Sequence, residues 1–300
     1  MKSLIKRISG AVAAPRQTLR HYVTRRDPRV FFQRHEALAV AAGLADIYLV
    51  LSFDCDTEED IAVAWDVHTR LMDMGVLPVY AVPGELLVRG IDTYGRIAET
   101  GAEFMNHGGR SHTFFNTVTG RDESCFFYDQ QTREAVHEDI VTGDAILRRE
   151  LNIAPQGFRT PHFGTFGHRK HLAFLYNEVK SLGYRYSSST MPHVGDRRGP
   201  VHRPVPGLVE FPVTGRASAP MIILDSWSAF RAPDRTLTPE DYVCEGTALA
   251  EAMAGRRAGL LNLYADPCHI AHEPAFFKAV VAWCRIAKPT SYQRLLDTLR

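Results

Sequence analysis

Short apolar runs rich in β-branched and aromatic residues alternate along the chain with longer stretches in which apolar positions recur every three or four residues. The runs 47–53, 76–82, 102–106, 156–160, 184–188, 208–213, 221–225 and 260–265 predict strands. The stretches 59–74, 91–100, 130–151, 168–182, 239–254, 274–287 and 292–299 predict helices. Within 138–151, for example, Ile140, Ala145, Ile146 and Leu147 fall near one helical face. Thr238-Pro239-Glu240-Asp241 reads as a helix entry: a capping hydroxyl, a proline at the first position and acids in the first turn. Strand–helix alternation predicts a largely parallel sheet covered by helices, and this many strands favour a closed or nearly closed barrel over an open sheet. The segment 190–207, rich in Pro, Gly and Arg, is expected to run over the barrel mouth. There is no internal repeat and no low-complexity tract.

The chain has 300 residues, 45% hydrophobic and 23% charged, which gives ample apolar material for one α/β barrel. No stretch approaches the roughly 18 consecutive apolar residues of a spanning helix. Five cysteines, Cys55, Cys125, Cys244, Cys268 and Cys284, show no CxxC spacing, which argues for a reducing compartment rather than a disulfide framework. The apolar run after Lys2, Lys6 and Arg7 is short for a signal peptide, so a cytoplasmic location is expected. The net charge of +1 conceals an asymmetry: residues 1–34 carry nine Lys/Arg against Asp27 alone. Residues 1–40 are therefore read as a basic arm and 41–300 as a single domain. Such an arm is either a solvated tail or a contact for an anionic surface, with peripheral contact at the inner membrane face preferred to nucleic acid.

The placement of polar residues points to chemistry. In parallel α/β folds, reactive groups collect at the C-terminal ends of strands. Here Asp54 and Asp56 follow the first predicted strand, His107 the third, Arg159 ends the fourth, Asp225 the seventh, and Asp266 follows the last. Two carboxylates at i and i+2 can share an ion or shift each other's proton affinity. His107 and His112 flank Gly108-Gly109, and five-residue spacing lets their rings converge only through an irregular loop, which glycine permits. Two histidines and one aspartate leave coordination positions open for water and substrate, the mark of a catalytic metal. Arg159 can pair with a carboxylate and hold it ionised, and Trp227, beside Asp225, suits stacking on a sugar face or filling of the core.

The order and spacing of these segments resemble the polysaccharide deacetylase family with NodB homology, over about residues 47–270. The resemblance implies a distorted (β/α) barrel that uses a divalent metal, most simply zinc, to remove an N-acetyl or other N-acyl group from an amino sugar of a glycan or lipid-linked saccharide. By that resemblance Asp54 is the general base, oriented by Arg159. Asp56, His107 and His112 are metal ligands, and His162 and Trp227 border the substrate. The pattern departs from the family twice. The histidine pair is one residue longer than the family's, and Asp266-Pro267 stands where the family has His-Pro. The histidine there is the family's general acid, normally tuned by the residue at position 225. In this chain the acid is Asp266, its proton affinity raised by Asp225, or His269, or it is lost. Loss of the acid would leave a non-catalytic carbohydrate-binding protein on a deacetylase fold.

Overall fold

The computed structural model describes residues 22–24 and 26–299. Six of the nine basic residues of the arm (Lys2, Lys6, Arg7, Arg16, Arg20 and Arg25) lie outside the described residues, and with them most of the expected anionic contact.

Helix α1 (Pro28–Ala41) opens the described body, followed by β1 (Ile47–Asp54), α2 (Glu58–Asp73), β2 (Val79–Val82), α3 (Gly84–Arg89), α4 (Ile91–Glu99) and β3 (Glu103–Asn106). A hairpin of β4 (Thr113–Asn116) and β5 (Arg121–Ser124) comes next, then α5 (Arg133–Leu151), β6 (Gly157–Phe158), α6 (Arg169–Ser181), β7 (Tyr186–Ser187) and α7 (Pro192–Arg198). The chain finishes with β8 (His202–Val205), β9 (Leu208–Glu210), α8 (Pro239–Met253), β10 (Gly259–Ala265), α9 (Pro267–Ile270), α10 (Pro274–Cys284), β11 (Lys288–Pro289) and α11 (Tyr292–Thr298).

The main sheet runs β10-β1-β2-β3-β6-β7-β9-β8, with β11 on the start of β1. Every pair is parallel except β8–β9. Central β1 is buried along almost its whole length, which is why it reads as an unbroken apolar run. The sheet curls until its two sides face each other across a seam beyond β9. There the Asn262 side chain donates to the carbonyls of Phe211 and Pro212 at 2.8 and 3.1 Å, and Thr214 N donates to Asn262 O at 2.7 Å. The result is a distorted (β/α) barrel.

Three expectations change on sight of the fold. The basic arm was expected to reach residue 40, but from Pro28 onward the chain is packed body. Asp27 caps α1, Pro28 opens it, and Phe31, Phe32 and Ala39 are buried. The segment 190–207 does not cover the mouth. Its helix α7 packs against α1, where Arg34 Nε donates to the Asp196 carbonyl at 2.7 Å, and the chain then turns back as β8. The expected strand at 221–225 shrinks to one bridge, Gly215 with Ile223. The Pro220 carbonyl lies where a Cβ on residue 215 would stand, which the glycine there permits, and Ile222 N closes a turn onto the Ala219 carbonyl, so the run bends at the bridge instead of extending as a strand.

Candidate active site

β1 delivers Asp54 to the C-terminal rim, where its Oδ1 accepts from Arg159 Nη1 at 2.7 Å. Arg159 is fully buried, and its other terminal nitrogen, Nη2, donates to Ser52 Oγ at 2.8 Å, Tyr292 OH at 3.1 Å and Ser188 Oγ at 3.3 Å. Its Cζ lies over the rings of Phe163 and Tyr264, 4.9 and 5.8 Å from their centroids. The guanidinium is thus locked before it meets the carboxylate. Burial pushes the Asp54 carboxyl above its ordinary value, and Arg159 and then His107 offset only part of that rise.

Two residues on, Asp56 faces the two histidines. His107 Nε2 lies 3.4 Å and His112 Nδ1 3.8 Å from Asp56 Oδ1, and the imidazole rings meet edge to face at 4.9 Å. Burial works against the Asp56 charge, but the close imidazoles of His107 and then His112 outweigh it and hold this carboxyl far below the usual range. Asp56 Oδ1, His107 Nε2 and both nitrogens of His112 are buried without a hydrogen-bond partner. One ligand atom from each residue falls within 4.8 Å of the other two. Buried polar atoms are normally paired, so a convergent set of orphans fits a cation. His107 Nδ1 donates to the Arg159 carbonyl at 2.8 Å, which fixes the tautomer that leaves the Nε2 lone pair free.

The five-residue spacing works because the loop is bolted down. Gly108 adopts φ +87, and a Cβ there would collide with the Asp139 carboxylate. Asp139, buried on α5, accepts from Gly109 N at 3.1 Å, Arg110 N at 2.9 Å and Tyr128 OH at 2.6 Å. Asn106 Oδ1 accepts from Gly108 N at 2.9 Å, and Gly143 leaves the space on α5 that lets the loop approach. The sequence marked the glycines. Asp139 had no signal of its own, since an acid on an amphipathic helix reads as a solvated face.

Across the cavity, Asp266 caps α9 and His269 lies inside that short helix. His269 Nδ1 sits 3.2 Å from Asp266 Oδ2 and 3.0 Å from Ser226 Oγ. Ser226 Oγ also accepts from Asp266 N at 3.1 Å. Burial, reinforced by Arg231, lowers His269 to about 3, while burial and the neighbouring acids raise Asp266 well above the carboxylate range. The acid expected to tune Asp266 was Asp225, and it is the weakest of the four neighbours. Asp60 leads, followed by Asp56 and Asp54. Both Asp225 oxygens are spent on Ser228, its N at 2.7 Å and its Oγ at 3.0 Å, as the cap of the turn that carries Trp227. Asp60 was missed because it reads as half of a capping box with Thr57, which it is. Its Oδ1 also accepts from Cys268 N at 2.9 Å and so ties α2 to α9.

Asp54, Asp56, His162, Trp227, Asp266 and His269 line one cavity of about 460 Å³. His107 and His112 reach it through Asp56 and Arg159 through Asp54, while Asp225 does not line it. His162 has φ +53, packs at 4.4 Å on Phe127, and donates Nε2 to the Cys125 carbonyl at 2.8 Å. One wall went unread in the sequence: the β4–β5 hairpin, anchored by Thr113 Oγ1 on the Asp56 carbonyl, contributes Phe115 and Arg121. The Thr-Gly at its turn, residues 119–120, was the available clue.

No protein-family model matches this sequence, and no curated protein matches it. Solved structures do match in shape. A protein assigned as a polysaccharide deacetylase, from Mycobacterium smegmatis, superposes with a TM-score of 0.61 at 18% identity, covering 86% of this chain and 91% of its own. The allantoinase PuuE gives 0.56 at 12% identity, covering 85% and 88%. The polysaccharide deacetylase Bc1974 from Bacillus cereus gives 0.50 at 11%, covering 82% and 93%. Identity this low speaks to architecture, and on that footing the chain has the fold of the polysaccharide deacetylases.

Proposed function

We propose that this chain is a metal-dependent hydrolase that removes an N-acyl group, most simply acetyl, from an amino sugar. The observation that carries the reading is the convergence of orphaned Asp56 Oδ1, His107 Nε2 and His112 nitrogens beside the Asp54–Arg159 pair in one cavity. Two imidazoles and one carboxylate suit zinc. When bound there, such an ion supplies Lewis acidity to an acyl carbonyl and to water.

The chain's own residues do the rest. Asp54, its Oδ1 held by Arg159, takes the proton of the attacking water through its other oxygen. The leaving nitrogen needs a proton from the opposite wall, where His269 and Asp266 form a relay. With Asp266 protonated and donating to His269 Nδ1, the imidazole carries its hydrogen on Nε2. It gives that proton to the amine while Nδ1 receives the one from Asp266, so the imidazole stays neutral and the negative charge that Asp54 loses on taking the water proton reappears on the Asp266 carboxylate. The acid missing from its expected position is in this way supplied by two residues one helical turn apart. The substrate could be a glycan or a lipid-linked saccharide, and the basic arm with a cytoplasmic site favours the latter at the inner membrane face.

Purified protein should bind one zinc per chain and release acetate or formate from a panel of N-acyl sugars. Stoichiometric metal without acyl release from any sugar would overturn hydrolysis and favour carbohydrate binding alone.

A further inference from the structure

We propose that Tyr292, at the start of the C-terminal helix α11, is a positioning residue for the Arg159–Asp54 pair, so that the last helix of the chain sets the base from beneath. The inference deepens the deacylase reading and rests on it for the step that Asp54 performs.

Three attachments draw the end of the chain into the barrel. β11 pairs with the start of β1, the strand that carries Asp54, and Thr290 N donates to the Leu49 carbonyl at 2.9 Å. Ser291 makes no side-chain cap for α11; Glu103, at the start of β3, accepts from Gln293 N at 3.1 Å in its place. Between these two points Tyr292 enters the barrel, fully buried, with its ring 4.8 Å from that of Tyr186 and 5.1 Å from that of Phe211. Tyr186 donates in turn to Glu103 Oε1 at 2.5 Å. Backbone and inserted ring are therefore held by the same strands that carry the site, and the phenol oxygen stands at a fixed height beneath the rim.

That oxygen has one proton. It goes to Asn262 Oδ1 at 2.6 Å, the shortest of its contacts, ahead of Ser188 Oγ at 3.1 Å. The lone pairs are thereby left to Arg159 Nη2, which donates to them at 3.1 Å. Asn262 is itself fixed by the carbonyls of Phe211 and Pro212, so the hydroxyl has no free rotation. Arg159 has little in reserve to replace this contact. It meets Asp54 through Nη1, and its Nε has no hydrogen-bond partner among the described residues. Of the three oxygens on Nη2, Ser188 is the farthest, so without the phenol Ser52 is left as the one close anchor on that side. A guanidinium held at one corner can pivot and carry Nη1 away from Asp54 Oδ1. Tyr292 thus acts through Arg159 and touches no reacting atom.

The test uses the full-length, zinc-loaded protein and acyl release from a panel of N-acyl sugars, N-acetylglucosamine among them. Tyr292→Phe, which removes only the oxygen, is set against Tyr186→Phe, which removes an equally buried hydroxyl bonded to Glu103 instead. Tyr292→Phe should lower kcat by roughly 5–50-fold with KM within about twofold, the scale on which a slightly misplaced reacting group acts, and should keep its zinc. Tyr186→Phe should leave kcat within about twofold, even where its melting temperature falls as far. In an Arg159→Lys background, Tyr292→Phe should cost less than about twofold more, because the group it positions is gone. Equal losses in the two phenylalanine variants, or a full loss on top of Arg159→Lys, would make Tyr292 a packing residue only. A readout without turnover separates this inference from the deacylase reading. The side-chain nitrogen NMR signals of Arg159, assigned by their absence in Arg159→Lys, should show slow guanidinium rotation in the wild type and in Tyr186→Phe, and faster rotation in Tyr292→Phe. Unchanged rotation in Tyr292→Phe overturns the positioning whether or not the protein turns over. Faster rotation in a protein that releases no acyl group from any sugar sustains the positioning and removes the deacylase reading.

Discussion

The two walls of the cavity solve opposite problems. On the β1–β3 wall, Asp56, His107 and His112 are held rigid from behind by Asn106 and Asp139 yet present unpaired atoms to the front. On the β10–α9 wall, Asp266, His269, Ser226, Asp60 and Cys268 are bonded to one another. The first wall keeps its binding capacity in reserve, as the proposed cation site would require. The second spends its polar atoms on hydrogen bonds within the chain, as the proposed proton relay would require. Burial is common to both, and the difference lies in whether the polar atoms find partners within the chain.

Breaking the first wall should have the largest effect. His107→Ala is expected to abolish stoichiometric zinc and with it essentially all turnover; full metal content by elemental analysis would remove His107 from the site. Next, His269→Ala should lower turnover by roughly 10²–10⁴-fold while leaving the zinc in place, the range for a lost general acid. Asp266→Asn should be milder, chiefly reshaping the pH profile. If the order of those two effects reverses, the aspartate is the direct donor, and His162 becomes the residue to test if neither matters. Asp139→Asn touches no ligand, yet should weaken zinc about 10–100-fold in a competition titration, because it frees the loop that spaces the histidines. Unaltered affinity would mean that the glycines alone fix that spacing.

The smallest effect contrasts the rim with the barrel's other end. His35 on α1 accepts from Leu260 N at 3.1 Å, and burial lowers it to about 4. A histidine kept neutral in the fold but protonated on unfolding makes stability rise with pH between those two values. Its contribution is therefore complete above about pH 6.5 and lost as pH falls towards 4, on the order of 1–3 kcal/mol. His35→Gln should flatten that part of a melting-temperature profile; an unchanged slope would assign the acid sensitivity to other groups.

Much of this arrangement was legible in the residues. β1 and β10 are apolar runs buried on both faces, so period and composition located them within a residue or two, and the strand-end rule then placed Asp54, Asp56, His107 and Arg159 on one rim. What stayed hidden was anything whose local pattern has a complete explanation of its own. Asp60 satisfies a capping box, and α1 lay within a stretch whose charge drew the eye from Phe31 and Phe32. Asp225 ended an apolar run that promised a strand, but the turn closed by Ile222 N on the Ala219 carbonyl spent that run on a loop. The contact between Asp266 and His269 stayed hidden for another reason. His269 comes to Asp266 only because Asp266-Pro267 starts a helix, and one helical turn is a distance that spacing alone does not convert into a direction.

The pairing of β1 with β10 sets Ile47 against Gly259 and runs in step to Phe53 against Ala265. On a growing chain, the strand that carries Asp54 would therefore wait for more than two-thirds of the protein to be made before its longest partner emerged. During that interval an eight-residue apolar segment would have one open edge. Pairings this distant in sequence close slowly and leave their strands exposed to other chains. The seam at Asn262 lies on the same late strand, so barrel closure and site assembly become a single final event. Expression yield should consequently depend on synthesis temperature and chaperone supply more steeply than the stability of the finished fold would suggest.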